Sequence, residues 1–247
     1  MDLNHTVGSP GDGPVPYEPH VGDTRQYWRD IILGVNDGLV SMVLLVAGVV
    51  GGGLTTEQVL LTAVAGAVAG AVSMGAGEYL ATKSQDEVLD AELALERIHL
   101  AHHRDSEVAQ LREMFREMGL HEDDLETAVQ AFNRSDQAML NAMAALEFGA
   151  TDSERRSPYK AMAYSGLLFL LGSMPSVVPF VFVEDTATGL AWAGLLAAAG
   201  LFAVGFAKTQ VTRTNPIVAG LENLVIAGVG GLLAFFVGDA VGNGAIG

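Results

Sequence analysis

Residues 87–110 carry ionisable side chains in an arrangement that is unusual for a solvent-exposed helix. At 100° per residue, six metal-capable side chains fall within about 80° of one another on one helix face. They are Glu92, Glu96, His99, His103, Glu107 and Gln110. Carboxylate and imidazole groups together are suitable ligands for borderline divalent transition metals such as Fe²⁺ and Mn²⁺. This set, called the stripe below, therefore predicts a metal-binding face.

A later helix of the same region adds two candidate ligands, a thioether and a carboxylate. Met143 and Glu147 are four residues apart and so share one helix face. The alternative is that the carboxylates of the stripe are ordinary surface groups paired with nearby arginines, and that Met143 belongs to a core. The arginines concerned are Arg97, Arg104 and Arg112. Spacing alone leaves both interpretations open.

Five segments are apolar and almost free of charge, and each is close to the roughly 20 residues that cross a bilayer as a helix. They predict membrane spans at about 31–52, 58–81, 159–183, 187–209 and 216–240. A soluble core helix would keep a polar face, which these segments mostly lack. If the second span continues into the stripe helix, Met74 and Glu78 share the face of the stripe, which would join the metal-binding face to the membrane.

Ionisable residues also occur inside the predicted spans. Asp37 lies about two turns into the first span, and Glu222 lies in the fifth. A charge in hydrocarbon costs at least about 2.5 kcal/mol, so such a residue usually faces a pathway or a partner. The alternative for both residues is a position near the membrane surface. Proton coupling needs a carboxylate that is charged in one state and neutral in another, and Asp37 and Glu78 are the candidates.

Small residues recur at four-residue steps in the first two spans, a pattern that marks close helix contacts. They are Gly34 and Gly38 in the first span, and Gly66, Gly70, Ser73 and Gly77 in the second. Their coincidence with Asp37 and Met74 predicts that these two spans pack tightly around a path. The third span contains two prolines in "GSMPSVVPF", which predict a bend and freed carbonyl groups.

The distribution of basic residues predicts the topology. Every Lys and Arg lies before the first span, between the second and third, or between the fourth and fifth. The positive-inside rule then makes the N-terminus and the insert cytoplasmic and the C-terminus external. The predicted organisation is a disordered tail (1–28), two spans (29–82), a cytoplasmic helical metal-binding domain (83–157) and three spans (158–247).

The insert is predicted to be a bundle of one long helix and two shorter ones. Gly119 is the expected C-cap of the long helix, and acidic residues open the next helix at "HEDDLETAVQAFN". The third helix is expected from about Ser135 to Phe148. The predicted fold is therefore an all-α membrane protein with five spans and a three-helix cytoplasmic insert.

Composition excludes several classes of function. The chain has no cysteine, so neither a disulfide framework nor a thiolate metal site can form. Its formal charge of −16 makes nucleic acid an unsuitable partner. The first 25 residues are polar and do not resemble a secretory signal. A prokaryotic plasma membrane is the simplest location, or a vacuolar membrane if the organism is eukaryotic.

Four motifs resemble those of the vacuolar iron transporter family: "NDGLVSMVLLVAG", "AVSMGAGEYLATKSQDEV", a Glu-rich insert ending in "MAALEFG", and "GSMPSVVPF". The resemblance covers nearly the whole chain after residue 28. It implies a five-span homodimer with a cytoplasmic metal-binding domain, which moves Fe²⁺ out of the cytoplasm in exchange for protons.

The resemblance also implies roles for particular residues. The family's path residues match Asp37 and Met74, and its metal ligands match Glu96, Glu107, Met143 and Glu147. Two further positions, which are glutamate in plant members, align here with His99 and Gln110. Histidine can still bind a metal, whereas glutamine is a poor replacement.

Other functions compete with Fe²⁺ transport. Mn²⁺ efflux is the nearest alternative, because these ligands show little preference between Fe²⁺ and Mn²⁺. Co²⁺ and Zn²⁺ are further substrates to test. A membrane-anchored metal sensor or store would use the insert alone and would not need Asp37 or Met74. A di-metal oxidase would need two Glu-x-x-His pairs, and Glu96–His99 is the one that the sequence contains. We therefore expect a transporter and not an enzyme.

Overall fold

A computed structural model describes residues 25–149, 155–212 and 215–244. This part of the chain is almost entirely helical and contains no β-strand, which confirms the all-α class. The longer helices are α1 (Arg25–Gly51), α2 (Thr56–His102), α6 (Pro158–Val177), α8 (Thr186–Thr212) and α9 (Pro216–Gly242). The shorter ones are α3 (Arg104–Glu117), α4 (Glu122–Asn133), α5 (Asp136–Leu146) and α7 (Pro179–Phe182). Most of the predicted disordered tail lies outside the described residues, and residues 25–28 already belong to α1.

Among the described residues, four helices are long and apolar enough to cross a membrane: Trp28–Gly51 within α1, α2, Thr186–Thr209 within α8, and α9. The predicted third span, 159–183, is divided between α6 and α7. Pro175 lies inside α6, and Pro179 begins α7 because proline cannot continue the hydrogen-bond pattern of the preceding helix. Five spans therefore remain a prediction.

Helix α2 runs without interruption from the second predicted span into the insert. It begins at a capping box in which Thr55 and Gln58 satisfy each other's backbone N–H groups. Its 47 residues extend for about 70 Å at 1.5 Å per residue. The continuity on which the alignment of Met74 and Glu78 with the stripe depended is confirmed, and no break separates the two predicted domains at residue 82.

The insert differs from the prediction in one respect. The expected long helix ends at His102 and restarts as α3 at Arg104, because His103 has non-helical dihedral angles (φ −133°, ψ 33°). The other ends lie close to the expected positions: α3 ends at Glu117 with Met118 as its C-cap, the expected cap Gly119 follows with a positive φ of 94°, and α5 follows an N-cap at Ser135. The end of α2 and helices α3–α5 enclose one apolar core: Leu93, Leu100, Leu111, Phe115, Leu125, Val129, Met139, Leu140, Ala142 and Met143.

Helix α6 packs against both α1 and α2, and this corrects the predicted role of the first-span glycines. A β-carbon at Gly38 would lie 2.3 Å from the carbonyl oxygen of Phe169, so Gly38 admits the backbone of α6 and not that of α2. Gly34 likewise meets Leu168. Gly66 does face the first span, where a β-carbon would lie 2.4 Å from the Leu45 side chain, whereas a β-carbon at Gly77 would meet nothing within 4 Å.

Candidate metal centre

Three side chains of the stripe form a compact cluster. Glu96, His99 and Glu107 each offer one ligand atom, and these atoms lie within 4.8 Å of one another. Nδ1 of His99 is 3.3 Å from Oε1 of Glu107 and 4.0 Å from Oε2 of Glu96. One divalent cation placed between these three atoms would have two oxygen ligands and one nitrogen ligand.

The break at His103 creates this cluster. In an unbroken helix Glu107 would lie about 12 Å from His99 along the axis, and about 16 Å from Glu96. The chain instead turns at His103, so that the first turn of α3 returns to the last turns of α2. Acidic residues suit that first turn, because unpaired backbone N–H groups at a helix N-terminus favour negative charge.

The two carboxylates are buried and incompletely satisfied. Glu96 is 4% exposed and Glu107 is 5% exposed. Oε1 of Glu96 and Oε2 of Glu107 have no hydrogen-bond partner in the described part of the chain. A buried carboxylate without such a partner is costly, and a bound cation would offset that cost.

The electrostatics of the cluster favour uptake of a positive charge. Burial, the charge of Glu107, a hydrogen bond with Glu107 and the charge of Glu147 together raise the pKa of Glu96 from 4.5 to about 7, with burial the largest cause. Glu96 therefore takes up a proton as the pH falls through about 7 when no cation is bound. A divalent metal would replace that proton and neutralise the facing carboxylates.

The alternative of ordinary surface ion pairs is wrong for Glu96 and Glu107. Both are buried, and the arginines expected to pair with them bind elsewhere. Arg104 donates to the side-chain and backbone oxygens of Asn133 and pairs with Asp136. Arg112 pairs with Glu126, and Arg97 is exposed.

The remaining predicted ligands lie around the cluster without joining it. Glu147 is exposed at the end of α5, close enough for its charge to act on Glu96. Met143 is fully buried in the insert core. The His103 ring centroid is 6.2 Å from that of His99, and His103 is exposed. Glu92 is exposed on α2, and Gln110 is half-buried on α3.

The predicted path residues lie in the membrane helices. Asp37 is exposed on α1, where its carboxylate accepts a hydrogen bond of 2.9 Å from the Ser41 hydroxyl. Met74 and Glu78 are half-buried on α2, and Glu222 is exposed on α9. Within the described residues, no hydrogen bond or ion pair joins Asp37 to Met74 or Glu78.

Sequence reasoning missed Asp30 and gave Arg156 only a topological meaning. Asp30 is 4% exposed near the start of α1 and pairs with Arg156, which precedes α6. In the sequence Asp30 is an acidic residue immediately before the first predicted span, a position at which carboxylates usually face water. The contact with Arg156 distinguishes Asp30 from such a residue.

Known proteins are similar to this chain over most of its length. The VIT family model matches residues 28–239. The chain is 29% identical over 213 residues to vacuolar iron transporter 1 of Eucalyptus grandis, which covers 86% of each protein. It is 29% identical to vacuolar iron transporter 2 of Oryza sativa subsp. japonica (86% of this chain, 87% of that protein). It is 26% identical to protein CCC1 of Saccharomyces cerevisiae (84% of this chain, 66% of that protein).

Proposed function

The chain belongs to the VIT family, and from that premise we propose that it moves Fe²⁺ out of the cytoplasm in exchange for protons. The insert collects the metal, and the membrane helices carry it across. Proteins similar over most of this chain are named as iron transporters, which supports metal transport. The ligands fit Mn²⁺ nearly as well as Fe²⁺, so Mn²⁺ is the second substrate to test, before Co²⁺ and Zn²⁺.

The observation that carries the proposal is the buried carboxylate pair facing an imidazole at the end of a membrane-spanning helix. Among the described residues, Glu96 and Glu107 each keep one buried oxygen without a hydrogen-bond partner, and the side chain of His99, which is 39% exposed, lies against both carboxylates. Because α2 continues from this cluster into the predicted second span, metal bound there begins at the cytoplasmic end of a path that leads to Glu78 and Met74.

The exposed position of Asp37 on an apolar helix supports two proposals, transport and a homodimer. A carboxylate on the exposed face of an apolar span is costly if lipid covers it, so this face should meet water or a second chain. Helix α2 offers an exposed row of small residues at four-residue steps, which is the pattern of tight helix–helix association. Its members are Ala65, Ala69, Ser73 and Gly77. We propose that two copies meet along this row and enclose the path.

The proposed orientation places the N-terminus and the insert in the cytoplasm and the C-terminus outside. Five spans follow from this arrangement if α6 and α7 together make the third. Metal that leaves the cytoplasm then passes the insert first, then Glu78 and Met74, and finally Asp37. A prokaryotic plasma membrane, or a vacuolar membrane in a eukaryote, is the proposed location.

Uptake into proteoliposomes tests the function. Fe²⁺, Mn²⁺, Co²⁺ and Zn²⁺ are added outside, with and without an acidic interior, and initial rates are compared with those of empty liposomes. We expect Fe²⁺ uptake that is accelerated by the proton gradient. Tight binding in detergent without uptake of any of the four metals would instead favour the anchored sensor or store.

A further inference from the structure

Four charged side chains form a ring that joins α1, α2 and the segment before α6. Arg156 contacts Asp30 with both terminal guanidinium nitrogens, and its Nη1 lies 3.7 Å from Oε1 of Glu78. Arg29 bridges the same two carboxylates, with Nη2 3.4 Å from Oδ1 of Asp30 and 3.6 Å from Oε1 of Glu78. Two cations therefore neutralise two carboxylates.

The two arginines differ in exposure. The side chain of Arg29 is 61% exposed, whereas that of Arg156 is 17% exposed. The carboxylate of Asp30 is nearly as buried as any in the described part of the chain, at 5%. A carboxylate so far removed from water needs a counter-charge, and Arg156 is the more buried of the two arginines that contact it.

The ring lies at the cytoplasmic end of the proposed path. Glu78 is one turn from Met74 on α2, and Asp30 is two turns from Asp37 on α1, so each carboxylate shares a helix face with a path residue. Beyond the ring, the helices are in backbone contact: a β-carbon at Gly75 would lie 3.0 Å from the carbonyl oxygen of Met162. A cation entering along these faces would meet the ring first.

Arg156 is also tied to the segment that returns from the insert. The preceding residue, Arg155, forms an ion pair of 2.7 Å with Asp90, an exposed residue of α2. Asp90 and Glu78 are about 18 Å apart along the helix. The two neighbouring arginines therefore contact α2 at two separate levels, Arg155 at Asp90 and Arg156 at Glu78.

We propose that Arg156 is a resident counter-ion that an entering divalent metal displaces from Asp30 and Glu78, an inference that rests on the proposed transport function. The planar guanidinium bridges two carboxylates, as a divalent cation would. The two arginines already neutralise the two carboxylates, so a divalent metal bound beside Arg156 would leave two excess positive charges in a place with little water, and displacement of Arg156 removes one of them. When the metal moves on toward Met74 and Asp37, Arg156 returns and closes the entrance. Arg156 is thus a positioning residue and not a ligand.

A binding measurement tests the exchange without transport. The background is Glu96→Gln/Glu107→Gln, which removes the insert site, and the readout is the Mn²⁺-dependent change in Tm in detergent. Adding Arg156→Gln should produce a stabilisation by Mn²⁺ that the background lacks, and further addition of Asp30→Asn should abolish it. The proposal is overturned if Mn²⁺ shifts the Tm of the Arg156→Gln protein no more than that of the background.

Two further variants in the same background serve as controls for the case in which Arg156→Gln does not fold. Asp30→Asn/Arg156→Gln removes both members of the buried pair, so it should fold even if Arg156→Gln alone does not. Arg156→Lys keeps the charge but cannot bridge both carboxylates in one plane, so it should bind Mn²⁺ with intermediate strength. Mn²⁺ binding by Arg156→Lys equal to that of the background would also refute the exchange.

Transport by the full chain gives the second readout. Arg156→Gln should lower the KM for Mn²⁺ or Fe²⁺ by about fivefold or more, because the competing cation is gone. The matched control Arg116→Gln removes an exposed arginine that pairs with Glu113, and it should leave KM unchanged. A merely structural Arg156 would lower the Tm and the maximal rate at constant KM, which contradicts the exchange. If the parent shows no uptake, the proposed function fails, while the Mn²⁺-binding arm still decides whether Arg156 competes with a cation.

Discussion

Individual carboxylates in this chain differ mainly in how much water they keep. Glu96 and Glu107 are buried together with unpaired oxygens, whereas Glu113 is 59% exposed and paired with Arg116. We therefore expect the same chemical group to bind a cation in one place and to be a solvated surface charge in the other. Predictions at the residue scale compare these environments directly.

Metal binding should depend on the cluster and on pH. Glu96→Gln or Glu107→Gln should weaken Fe²⁺ or Mn²⁺ binding by about 10- to 100-fold, since each removes a negative ligand. Because the pKa of Glu96 is raised to about 7, parent affinity should fall by up to about tenfold per pH unit below that value, as metal must displace the proton. Calorimetric titration at several pH values measures both effects, with Glu113→Gln as the control that should match the parent.

The same raised pKa makes a prediction for the stability of the metal-free protein. The unfolded carboxyl ionises near its usual pKa of 4.5, while folded Glu96 remains protonated to about 7. Stability should therefore fall as pH rises from about 4.5 to about 7, and Glu96→Gln should flatten this part of the profile. Thermal unfolding in detergent with a chelator measures it. If the slope of stability against pH is the same in Glu96→Gln as in the parent, groups other than Glu96 determine it.

Asp37 is predicted to separate transport from binding. Asp37→Asn keeps the size of the side chain and its acceptor oxygen for Ser41 but removes the negative charge. We expect loss of Fe²⁺ uptake in liposomes with nearly unchanged binding at the insert. Asp239→Asn, which changes an exposed carboxylate near the end of α9, is the matched control and should transport normally. Near-normal uptake by Asp37→Asn would remove this residue from the mechanism.

At the scale of helices, the junction between α2 and α3 decides whether the ligands meet. Arg104 begins α3 and fastens it to the end of α4 and the start of α5, with bonds of 2.8 Å to both the side-chain and backbone oxygens of Asn133. This contact fixes the direction in which α3 leaves His103. It does so without touching the cluster.

Loosening that junction should weaken metal binding from a distance. Arg104→Gln should lower affinity by roughly tenfold, because Glu107 is no longer held against His99. The control is Arg112→Gln, which removes a more peripheral arginine of α3 paired with Glu126 and should bind normally. The two variants are compared by Mn²⁺ titration of the detergent-solubilised protein. Equal affinities would show that the junction holds its geometry without Arg104.

The contact between α1 and α6 should tolerate no added methyl group. Gly38→Ala would place a β-carbon 2.3 Å from a backbone oxygen, so the helices must separate and the Tm should fall. Gly194→Ala on α8 meets nothing within 4 Å and should raise helix stability by about 1 kcal/mol. Thermal unfolding of the two variants in the same detergent checks this difference in sign.

For the whole molecule, the cysteine-free chain allows a direct test of topology. Met118→Cys lies at the exposed end of α3 and Asn243→Cys at the exposed end of α9. In intact cells a membrane-impermeant maleimide should label the second and not the first, as the distribution of basic residues predicts. The opposite labelling pattern would reverse the proposed direction of transport.

The sequence by itself determined the features that depend on local chemistry. Apolar runs located four helices that are long and apolar enough to cross a membrane, and Ser135 and Gly119 lie close to the ends of insert helices. Helical periodicity placed Glu96, His99 and Glu107 near one another in angle. These features could be predicted because they arise from hydrophobicity and hydrogen bonding between residues close in the chain.

Only the tertiary structure decided which of those residues meet. Periodicity gives the angle of a residue around a helix but does not reveal a break in that helix. Because His103 is neither Gly nor Pro, the sequence predicted one unbroken helix that carries the whole stripe. The turn there brings Glu107 to His99 and leaves Glu92 exposed. Likewise, the ion pair between Asp30 and Arg156 joins residues far apart in sequence. Such contacts depend on how rigid helices pack, and packing minimises buried charge and empty space over the whole molecule.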